Sequence, residues 1–493
     1  MRSPLCVMEN PSRLPAPRRW AAESSSCRDL EADDRSLPGA WRFPMLSGMK
    51  RFPLPTPARL AVLPLWLALA HAASGSERDD AFARTIDELF PKLVETRRHL
   101  HANPELSNEE ENSATYVTKR LTELGLEVQT GVAKHGIVAL LKGKAGASEH
   151  CVALRADMDA LPITQLSSKP YRSRNPGVMH ACGHDVHTTV ALGVAEVLRN
   201  HQDQFSGTVK FLFQPAEEGM PIDFKDDWGA KQMVAEGAME NPRPAAIFAL
   251  HCRPTITPKG ADLATKRYLE AGQFSYTSGY DSANSDTFEV VIKGTMAHGS
   301  APQRGVDAIT VAAEAITALQ TIRSRRTDTQ QPLVLTIGTI RGGQRHNILA
   351  DEVRFTGTVR TYDEAFRDSV RKMMTQILDG ITAAHGATHI LDYRTGYPSV
   401  YNDPKLVEAT LPTLRRIAGQ ANVIESIPGM GGEDFSHFAK VSPGFYFRLG
   451  VANEANGILG EIHTPAFDVD EQCLKTGVAG MAAVICDFLD AVR

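Results

Sequence analysis

Residues 151–162 read CVALRADMDALP, an apolar run that passes directly into two aspartates and a proline. An uninterrupted apolar run of this length, bounded by turn residues, is typical of a strand that is buried on both faces. Similar runs occur at 136–142, 208–213 and 245–250, and helical spacings extend over 81–101, over 110–124 and from Asp185 to about Gln202. This alternation predicts an α/β fold whose mainly parallel sheet carries helices on both faces.

A different pattern begins after about residue 280. Strand, helix, strand, strand, helix and strand are predicted in turn at 286–293, 307–325, 333–340, 352–360, 364–385 and 387–394. This βαββαβ order is that of a self-sufficient α+β unit. We therefore predict a smaller α+β domain at 281–396, inserted into a larger domain formed by 77–280 and 397–493.

Composition excludes few classes of protein. The 493 residues include 53 basic and 58 acidic side chains, a net charge of −5 that is too balanced to indicate a nucleic-acid partner. The seven cysteines are widely scattered, which argues against a disulfide scaffold.

Residues 49–72 have the features of a secretory signal peptide. A basic start at Met49 precedes the apolar run Leu60–Ala70, which is too short to span a bilayer as a helix, and we expect cleavage after Ala72. Residues 1–48 lack apolar periodicity, and we interpret them as a gene-model extension or a disordered segment. These features predict a secreted or periplasmic protein with no membrane span in the mature chain.

Acidic side chains and a histidine follow the predicted parallel strands, where ligand crevices form in open α/β sheets. They are Asp159, the pair Glu217-Glu218 and His251. Two adjacent carboxylates in a pocket repel each other unless a cation or a proton lies between them. Since successive side chains point to different sides, one can bind a metal while the other transfers protons. The alternative for the pair is a solvated loop, which is common for Glu-Glu in isolation but is disfavoured by the buried strand and Gln-Pro-Ala that precede it. A lone histidine after a strand is usually structural.

A further loop places Cys182 and His184 on either side of Gly183, whose freedom of backbone conformation permits a tight turn. A thiolate and an imidazole are suitable ligands for zinc or a similar divalent ion. We expect Asp185 to cap the following helix and to orient His184. The alternative is a buried, inert cysteine beside a helix cap.

Several ordered motifs carry a resemblance to a known family. They are RRHLHANPELS at 97–107, RADMDALP at 155–162, HACGHD at 180–185, QPAEEG at 214–219, GGEDF at 431–435 and HTPAF at 463–467. Together they resemble the M20 metallopeptidases, most closely the amidohydrolase branch that contains hippurate, N-acyl-amino-acid and indole-acetyl-amino-acid hydrolases. The similarity covers essentially all of residues 80–493.

The resemblance implies that the larger domain is catalytic and that the inserted domain at 281–396 is its lid. It also implies a dimetal site for two divalent ions, zinc or manganese. The implied ligands are Cys182, His184, Glu218, His251 and His463, with Cys182 shared between the ions. The assignment of His463 rests on the resemblance alone. Glu217 is implied as the general base that activates water, and Asp159 as a supporting acid, although a residue that forms a turn at the strand end would explain Asp159 as well.

In the lid, His298 and Asn347 resemble positions that contact substrate or stabilise the oxyanion, and an exposed loop explains them nearly as well. The family also implies a homodimer formed through the lid. The implied reaction is hydrolysis of the amide bond of an N-acyl or N-aroyl amino acid, a small peptide-like substrate, to a carboxylic acid and a free amino acid.

Two other functions stay open: a dipeptidase or carboxypeptidase of the same family, and a non-catalytic metal-containing binding protein. Glu217 argues against the second, because a structural metal site is closed by its ligands and needs no additional base. The chain departs from the family pattern at 220–229 and at 262–285, the latter with Tyr268, Phe274, Tyr276 and Tyr280. We expect these departures to affect the choice of substrate.

Overall fold

The computed structural model describes residues 65–219 and 227–492, with side chains described from residue 77 onward. The helices are α1 (Leu65–Ala102), α2 (Glu111–Glu123), α3 (His184–Asn200), α4 (Gly229–Ala235), α5 (Ala308–Thr321), α6 (Glu364–His385), α7 (Pro404–Ala418), α8 (Ser436–Ala439) and α9 (Cys473–Ala491). The strands are β1 (Glu127–Val132), β2 (Gly136–Lys142), β3 (Cys151–Asp157), β4 (Thr208–Gln214), β5 (Ala246–Arg253), β6 (Thr255–Ile256), β7 (Arg267–Tyr268), β8 (Phe274–Tyr276), β9 (Gly279–Ser282), β10 (Ser285–Lys293), β11 (Val334–Gly342), β12 (Glu352–Arg360), β13 (Thr388–Tyr397), β14 (Val400–Asn402), β15 (Val423–Glu425) and β16 (Gly444–Gly450).

The larger sheet has the strand order β1-β2-β4-β3-β5-β16-β8-β15. Its centre, β4-β3-β5-β16, is parallel throughout, whereas β1-β2, β2-β4 and β16-β8 are antiparallel. The predicted mainly parallel sheet is therefore confirmed. The sequence pattern did not reveal β1, because its side chains are mostly exposed and form no apolar run.

Helices cover both faces of this sheet. Every residue of β3, β4 and β16 is buried. Alternate side chains of β5 enter different cores: Phe248 packs on the side of α1, α3 and α9, whereas Ile247 packs on the side of α4 and α8. This double burial explains why the strands read as continuous apolar runs.

The smaller sheet has the order β11-β12-β10-β13, with every pair antiparallel. Helices α5 and α6 pack on it around a separate core that includes Phe288, Phe355 and Leu378. The predicted βαββαβ lid fold is confirmed, and α6 has the predicted bounds. Asp363 caps the start of α6 by accepting from the Phe366 N–H, and Gly386 ends it at a φ of 68°.

Some element bounds differ from those predicted. Helix α5 ends at Thr321 and continues as a π-helical turn, Ile322–Arg326, instead of running to 325 as an α-helix. Helix α1 begins at Leu65 and not near residue 81. The Leu- and Ala-rich run that forms its first turns also favours helix. The helix is thus continuous past Ala72. Residues 1–64 lie outside the described residues, so the interpretations of 1–48 and of the signal peptide stay predictions.

The aromatic side chains at 262–285 have mainly structural positions. Phe274 is buried in β8 with its ring 5.5 Å from that of Phe447, and Tyr280 of β9 stacks on Tyr362 at 5.4 Å. The other departure, at 220–229, lies largely outside the described residues.

Strand β9 pairs with β14 where the chain passes between the two sheets. The predicted domain boundaries stay predictions.

The described cysteines are all buried and unpaired: Cys151, Cys182, Cys252, Cys473 and Cys486. Within the described ranges, no helix is long and apolar enough to cross a membrane.

Candidate active site

A buried thiol, two imidazoles and a carboxylate meet beyond the carboxyl ends of the parallel strands. Cys182 Sγ lies 3.3 Å from His251 Nε2 and 3.2 Å from His463 Nε2. His463 Nε2 lies 3.3 Å from Glu218 Oε1. The structure thus brings these four predicted ligands together, from the loop before α3, the loop after β4, strand β5 and the loop before α9.

The fifth predicted ligand, His184, is the first residue of α3. Its Nε2 atom lies 3.8 Å from both Glu217 Oε2 and Glu218 Oε1. The donor atoms of Cys182, His184 and His251 lie within 4.8 Å of one another, as do those of Cys182, Glu218 and His463. Two overlapping sets of ligands therefore share the Cys182 thiol, as expected for two neighbouring ions.

Two observations show that this arrangement fits metal ions. His184 Nε2 and Glu218 Oε1 are buried and have no hydrogen-bond partner among the described residues, which is rare for buried polar atoms. The Cys182–His251 and Cys182–His463 separations are close to the roughly 3.5 Å between two ligands of one tetrahedral ion. The residues present can thus hold divalent cations.

The histidine tautomers also suit metal binding. His251 Nδ1 lies 2.7 Å from the Cys252 carbonyl oxygen, which only accepts, so Nδ1 carries the proton and Nε2 keeps a free lone pair. His184 Nδ1 lies 3.1 Å from Asp159 Oδ1, which orients the ring in the same way.

The backbone around the site adopts conformations that few residues tolerate. Gly183 has a φ of 90°, and a Cβ atom at this position would lie 2.8 Å from Cys252 Cβ. Ala216 and His463, which are not glycines, have φ values of 53° and 58°. Such left-handed residues concentrate at functional sites, where the surrounding structure holds them in place.

Asp159 connects two candidate ligands to Ser107 in the loop before α2. Besides His184, its carboxylate accepts from the Ser107 hydroxyl at 2.7 Å and from the Glu218 N–H at 2.9 Å. Burial would raise the pKa of Asp159, but the hydrogen bond and the charge of His184 bring it below its usual value. Asp159 therefore supports two candidate ligands at once.

The expected role of Asp185 is wrong. Gly183 occupies the cap position of α3 and supplies no side-chain cap. The Asp185 carboxylate instead accepts from Arg97 Nε at 2.8 Å and lies 2.9 Å from His101 Nδ1. The buried guanidinium of Arg97 attracts this carboxylate away from the helix end, and the orienting role belongs to Asp159.

Sequence reasoning missed Asp157 and His187. Asp157 Oδ1 lies 2.5 Å from His187 Nδ1, and Asp157 Oδ2 lies 3.6 Å from His184 Nε2. His187 Nε2 accepts from the Cys252 N–H at 2.8 Å, next to the candidate ligand His251. The spacing of two residues between Asp157 and Asp159 at a strand end was the available signal for a shared face.

Negative charge accumulates in the site. Burial, followed by Glu433 and Glu218, raises the pKa of Glu217 well above its usual value. Burial, followed by Glu218 and Glu217, does the same for the Cys182 thiol. Although burial opposes a charge on His184, Asp157 and Asp159 raise its pKa to about 10. Bound cations would offset this charge and favour the ionised thiol and carboxylates.

A cluster of buried polar side chains lies near Glu217 and acts on its charge. Arg155 donates to Asp157 at 2.7 Å and to Glu433 at 3.0 Å, and Tyr446 donates its hydroxyl proton to Glu433 at 2.5 Å. The hydroxyl of Tyr397, the last residue of β13, donates to the Glu217 carbonyl oxygen at 3.0 Å. A side chain from the smaller sheet thereby holds the backbone of Glu217.

The two predicted lid residues lie next to each other and are exposed. The Gly299 N–H donates to the Asn347 carbonyl oxygen at 2.8 Å, and His298 Nδ1 lies 2.7 Å from Ser300 Oγ. In the part of the chain that the structure describes, no hydrogen bond or ion pair joins either side chain to the thiol and imidazole cluster. Their role in substrate binding stays a prediction.

Comparison with known proteins agrees with the site. The sequence model of Peptidase family M20/M25/M40 matches residues 153–487. Thermostable carboxypeptidase 2 of Saccharolobus solfataricus is 34% identical over 406 residues, which are 82% of this chain and 97% of that protein. The N-acetyl-L-cysteine deacetylase of Bacillus subtilis is 34% identical over 391 residues, 79% of this chain and 86% of that protein.

A solved structure shows the same architecture. The YxeP protein of Bacillus subtilis, described as a dinuclear metal-binding peptidase of the M20 family, is 30% identical and has a TM-score of 0.68. The match covers 82% of this chain and 99% of the YxeP chain.

Proposed function

The chain belongs to peptidase family M20/M25/M40 and is a hydrolase of amide bonds; from this premise we propose that its substrates are N-acyl or N-aroyl amino acids. The products are then a carboxylic acid and a free amino acid. The observation that carries the proposal is the position of Glu217. Its carboxylate lies 3.8 Å from His184 Nε2, beside the candidate ligands, while its neighbour Glu218 lies close to His463.

Glu217 is the proposed general base. Its carboxylate accepts a proton from a water molecule, whose oxygen attacks the amide carbonyl carbon. The C–N bond then breaks as Glu217 returns the proton to the leaving nitrogen. Burial keeps Glu217 away from bulk water, so its basicity depends on the charges around it.

Cys182, His184, Glu218, His251 and His463 would hold two divalent cations, zinc or manganese. Such cations, when bound, polarise the amide carbonyl and lower the pKa of water. Asp159 keeps His184 oriented and holds the Glu218 backbone, so it fixes the distance between base and ligands. His298 and Asn347 are the proposed contacts to substrate from the lid.

Dipeptidase or carboxypeptidase activity is the second candidate, and the similarity to Thermostable carboxypeptidase 2 favours it. The two candidates differ in the group on the carbonyl side of the scissile amide. A dipeptidase requires a free α-amine there, whereas an acyl-amino-acid hydrolase takes an uncharged acyl group. The similarity to the N-acetyl-L-cysteine deacetylase favours the acyl group.

We also propose that the protein is exported, because residues 49–72 resemble a signal peptide. In addition, we propose a homodimer formed through the lid. Strand β11 lies at the edge of the lid sheet, and its residues 338–342 are exposed, as pairing with a second copy requires. Amino-terminal sequencing of the secreted protein tests the first proposal, and light scattering tests the second.

A substrate panel tests the function directly. The purified protein is analysed for zinc and manganese and then assayed with N-acetyl and N-benzoyl amino acids, dipeptides and carboxyl-blocked controls. Among these substrates, we expect the highest kcat/KM for an acylated amino acid. A clear preference for free dipeptides would overturn it in favour of the second candidate, and turnover that persists after complete metal removal would overturn the role of the ligands.

A further inference from the structure

A cavity of about 220 Å³ lies beyond the carboxyl end of β5, and no step described above uses it. Its polar lining includes Arg253, Arg448, Asp281, Thr255, Thr257 and Ser426. The cavity is next to the candidate metal ligands in the fold: Arg448 is the register partner of His251, and Arg253 follows His251 by two residues. Because neighbouring strands in register present side chains to the same face, the two arginines and His251 share one side of the sheet.

Arg448 is buried, with only 8% of its surface exposed. Its Nη2 atom donates to Asp281 Oδ2 at 2.5 Å, and its guanidinium carbon, Cζ, lies 4.2 Å from the centre of the Tyr446 ring. The other end, Nη1, is buried without a hydrogen-bond partner among the described residues. A buried donor of this kind is normally paired, so Nη1 indicates a missing acceptor.

Arg253 supplies a second positive charge to the cavity. Among the described residues, Arg253 forms no hydrogen bond and no ion pair. Asp281, the acidic residue in the described lining, already accepts from Arg448, from Thr277 at 2.9 Å and from Ser282 at 2.8 Å. Two guanidinium groups and one carboxylate leave the cavity with an excess positive charge, which favours an anionic ligand.

We propose that this cavity is a carboxylate-binding subsite, in which Arg253 and Arg448 Nη1 donate to a carboxylate of the substrate. The guanidinium group is the side chain best suited to a carboxylate, since its planar donors match the two oxygens. The inference rests on the proposed function and deepens it, because it selects amino-acid substrates that carry a carboxylate within reach of this cavity. Two sources of the carboxylate fit this chemistry: the α-carboxylate of the amino acid, and a second one on its side chain.

Arg253 is the residue to change, because its removal breaks no described contact. The Arg253→Gln variant is compared with Arg253→Lys, which keeps the charge, and with Arg84→Gln, the same change at an exposed position of α1. Each protein is assayed with N-acetylglutamate, N-acetylglutamine and N-acetylglutamate α-amide. Binding of glutarate is measured by calorimetry as a second readout that does not depend on turnover.

We expect Arg253→Gln to raise KM about 10- to 100-fold for substrates that carry the recognised carboxylate, the range for loss of one hydrogen bond to a charged group. Arg253→Lys should restore part of the loss, and Arg84→Gln should behave as the wild type. If N-acetylglutamine is unaffected, the subsite binds the side-chain carboxylate; if the α-amide is unaffected, it binds the α-carboxylate. Either result supports the subsite, as does weaker glutarate binding by Arg253→Gln alone.

Equal effects on all three substrates, together with unchanged glutarate binding, would overturn the subsite. Failure of the proposed function gives a different result, because the wild type would then hydrolyse none of the three substrates. In that case the calorimetric comparison still decides on the carboxylate site. An Arg448→Gln variant that keeps the wild-type affinity for glutarate would also contradict the proposal.

Discussion

Cys182 Sγ lies 3.2 Å from His463 Nε2, although 281 residues separate the two in the chain. The loop that carries His463 is held by a hydrogen bond from its backbone N–H to the Ala181 carbonyl oxygen at 2.8 Å. The thiol is also close to His251. Three segments of the chain therefore meet at the sulfur atom of Cys182. This contact is the centre of the candidate metal site.

Replacement of Cys182 by serine should therefore remove bound metal. A hydroxyl is a poorer ligand for zinc than a thiolate, so the turnover should fall by more than the roughly 10- to 100-fold that loss of an outer partner causes. Metal content by plasma mass spectrometry and kcat measure the effect. Cys473→Ala, which removes a buried thiol in α9, should retain both. Full occupancy of both ions in Cys182→Ser would contradict the assignment.

Asp159→Asn should weaken metal binding without unfolding the protein. The change removes the charge beside His184 Nδ1 and disturbs the bond to the Glu218 N–H. We expect metal affinity or turnover to decrease about 10- to 100-fold, as for other outer partners of metal ligands. A chelator titration followed by activity measures it. Asp262→Asn in an exposed loop is the control, and equal behaviour of the two variants would remove Asp159 from the site.

Gly183→Ala should lower both stability and metal content. The alanine must adopt a φ of 90°, which costs about 1–3 kcal/mol, and its Cβ would lie 2.8 Å from Cys252 Cβ. Gly237→Ala provides a matched control, because Gly237 has a φ of 85° and no atom lies within 4 Å of an added Cβ. Urea unfolding should show a larger loss for Gly183→Ala. Equal losses would mean that close packing at Gly183 is unimportant.

Arg97→Met should destabilise the fold by about 3–5 kcal/mol, because it leaves the buried Asp185 carboxylate without its main partner. Arg97, with His101, overcomes the effect of burial and lowers the pKa of Asp185 well below its usual value. The stabilisation is therefore complete above about pH 4, the pKa in the unfolded chain, and is lost as the pH falls below it. Unfolding free energies measured from pH 7 to pH 3 should decline less steeply in Arg97→Met. Parallel declines would contradict this account.

Much of the fold was predictable because burial on both faces leaves a clear pattern. Strand β2 and helix α6 have the predicted bounds, since an apolar run defines the first and caps define the second. Strand β12 also has the predicted bounds, although its buried side chains alternate with polar ones at its start. Strand β1 was not predictable, because it lies at a sheet edge with exposed side chains. The extension of α1 was missed because its first turns carry no helical spacing of polar and apolar residues.

The candidate site was predictable to a different extent. Glu217 and Glu218 follow the buried strand β4, and His251 lies near the end of β5, so the sheet topology alone brings them near one another. His463 lies in a loop without a periodic pattern, and only its resemblance to the family motif indicated it. The partners of Asp185 could not be predicted, because Arg97 is 88 residues away in the chain and its position depends on how α1 packs on α3.

The central claim is that Glu217 moves protons while its neighbour Glu218 binds metal, and one comparison tests it most directly. Metal content and kcat are measured for Glu217→Gln and for Glu218→Gln. Glu217→Gln should retain the wild-type metal content and lose turnover by about 10²- to 10⁴-fold, the range for a general base, whereas Glu218→Gln should lose metal as well. Loss of metal from Glu217→Gln, or its turnover at the wild-type rate, would contradict the account.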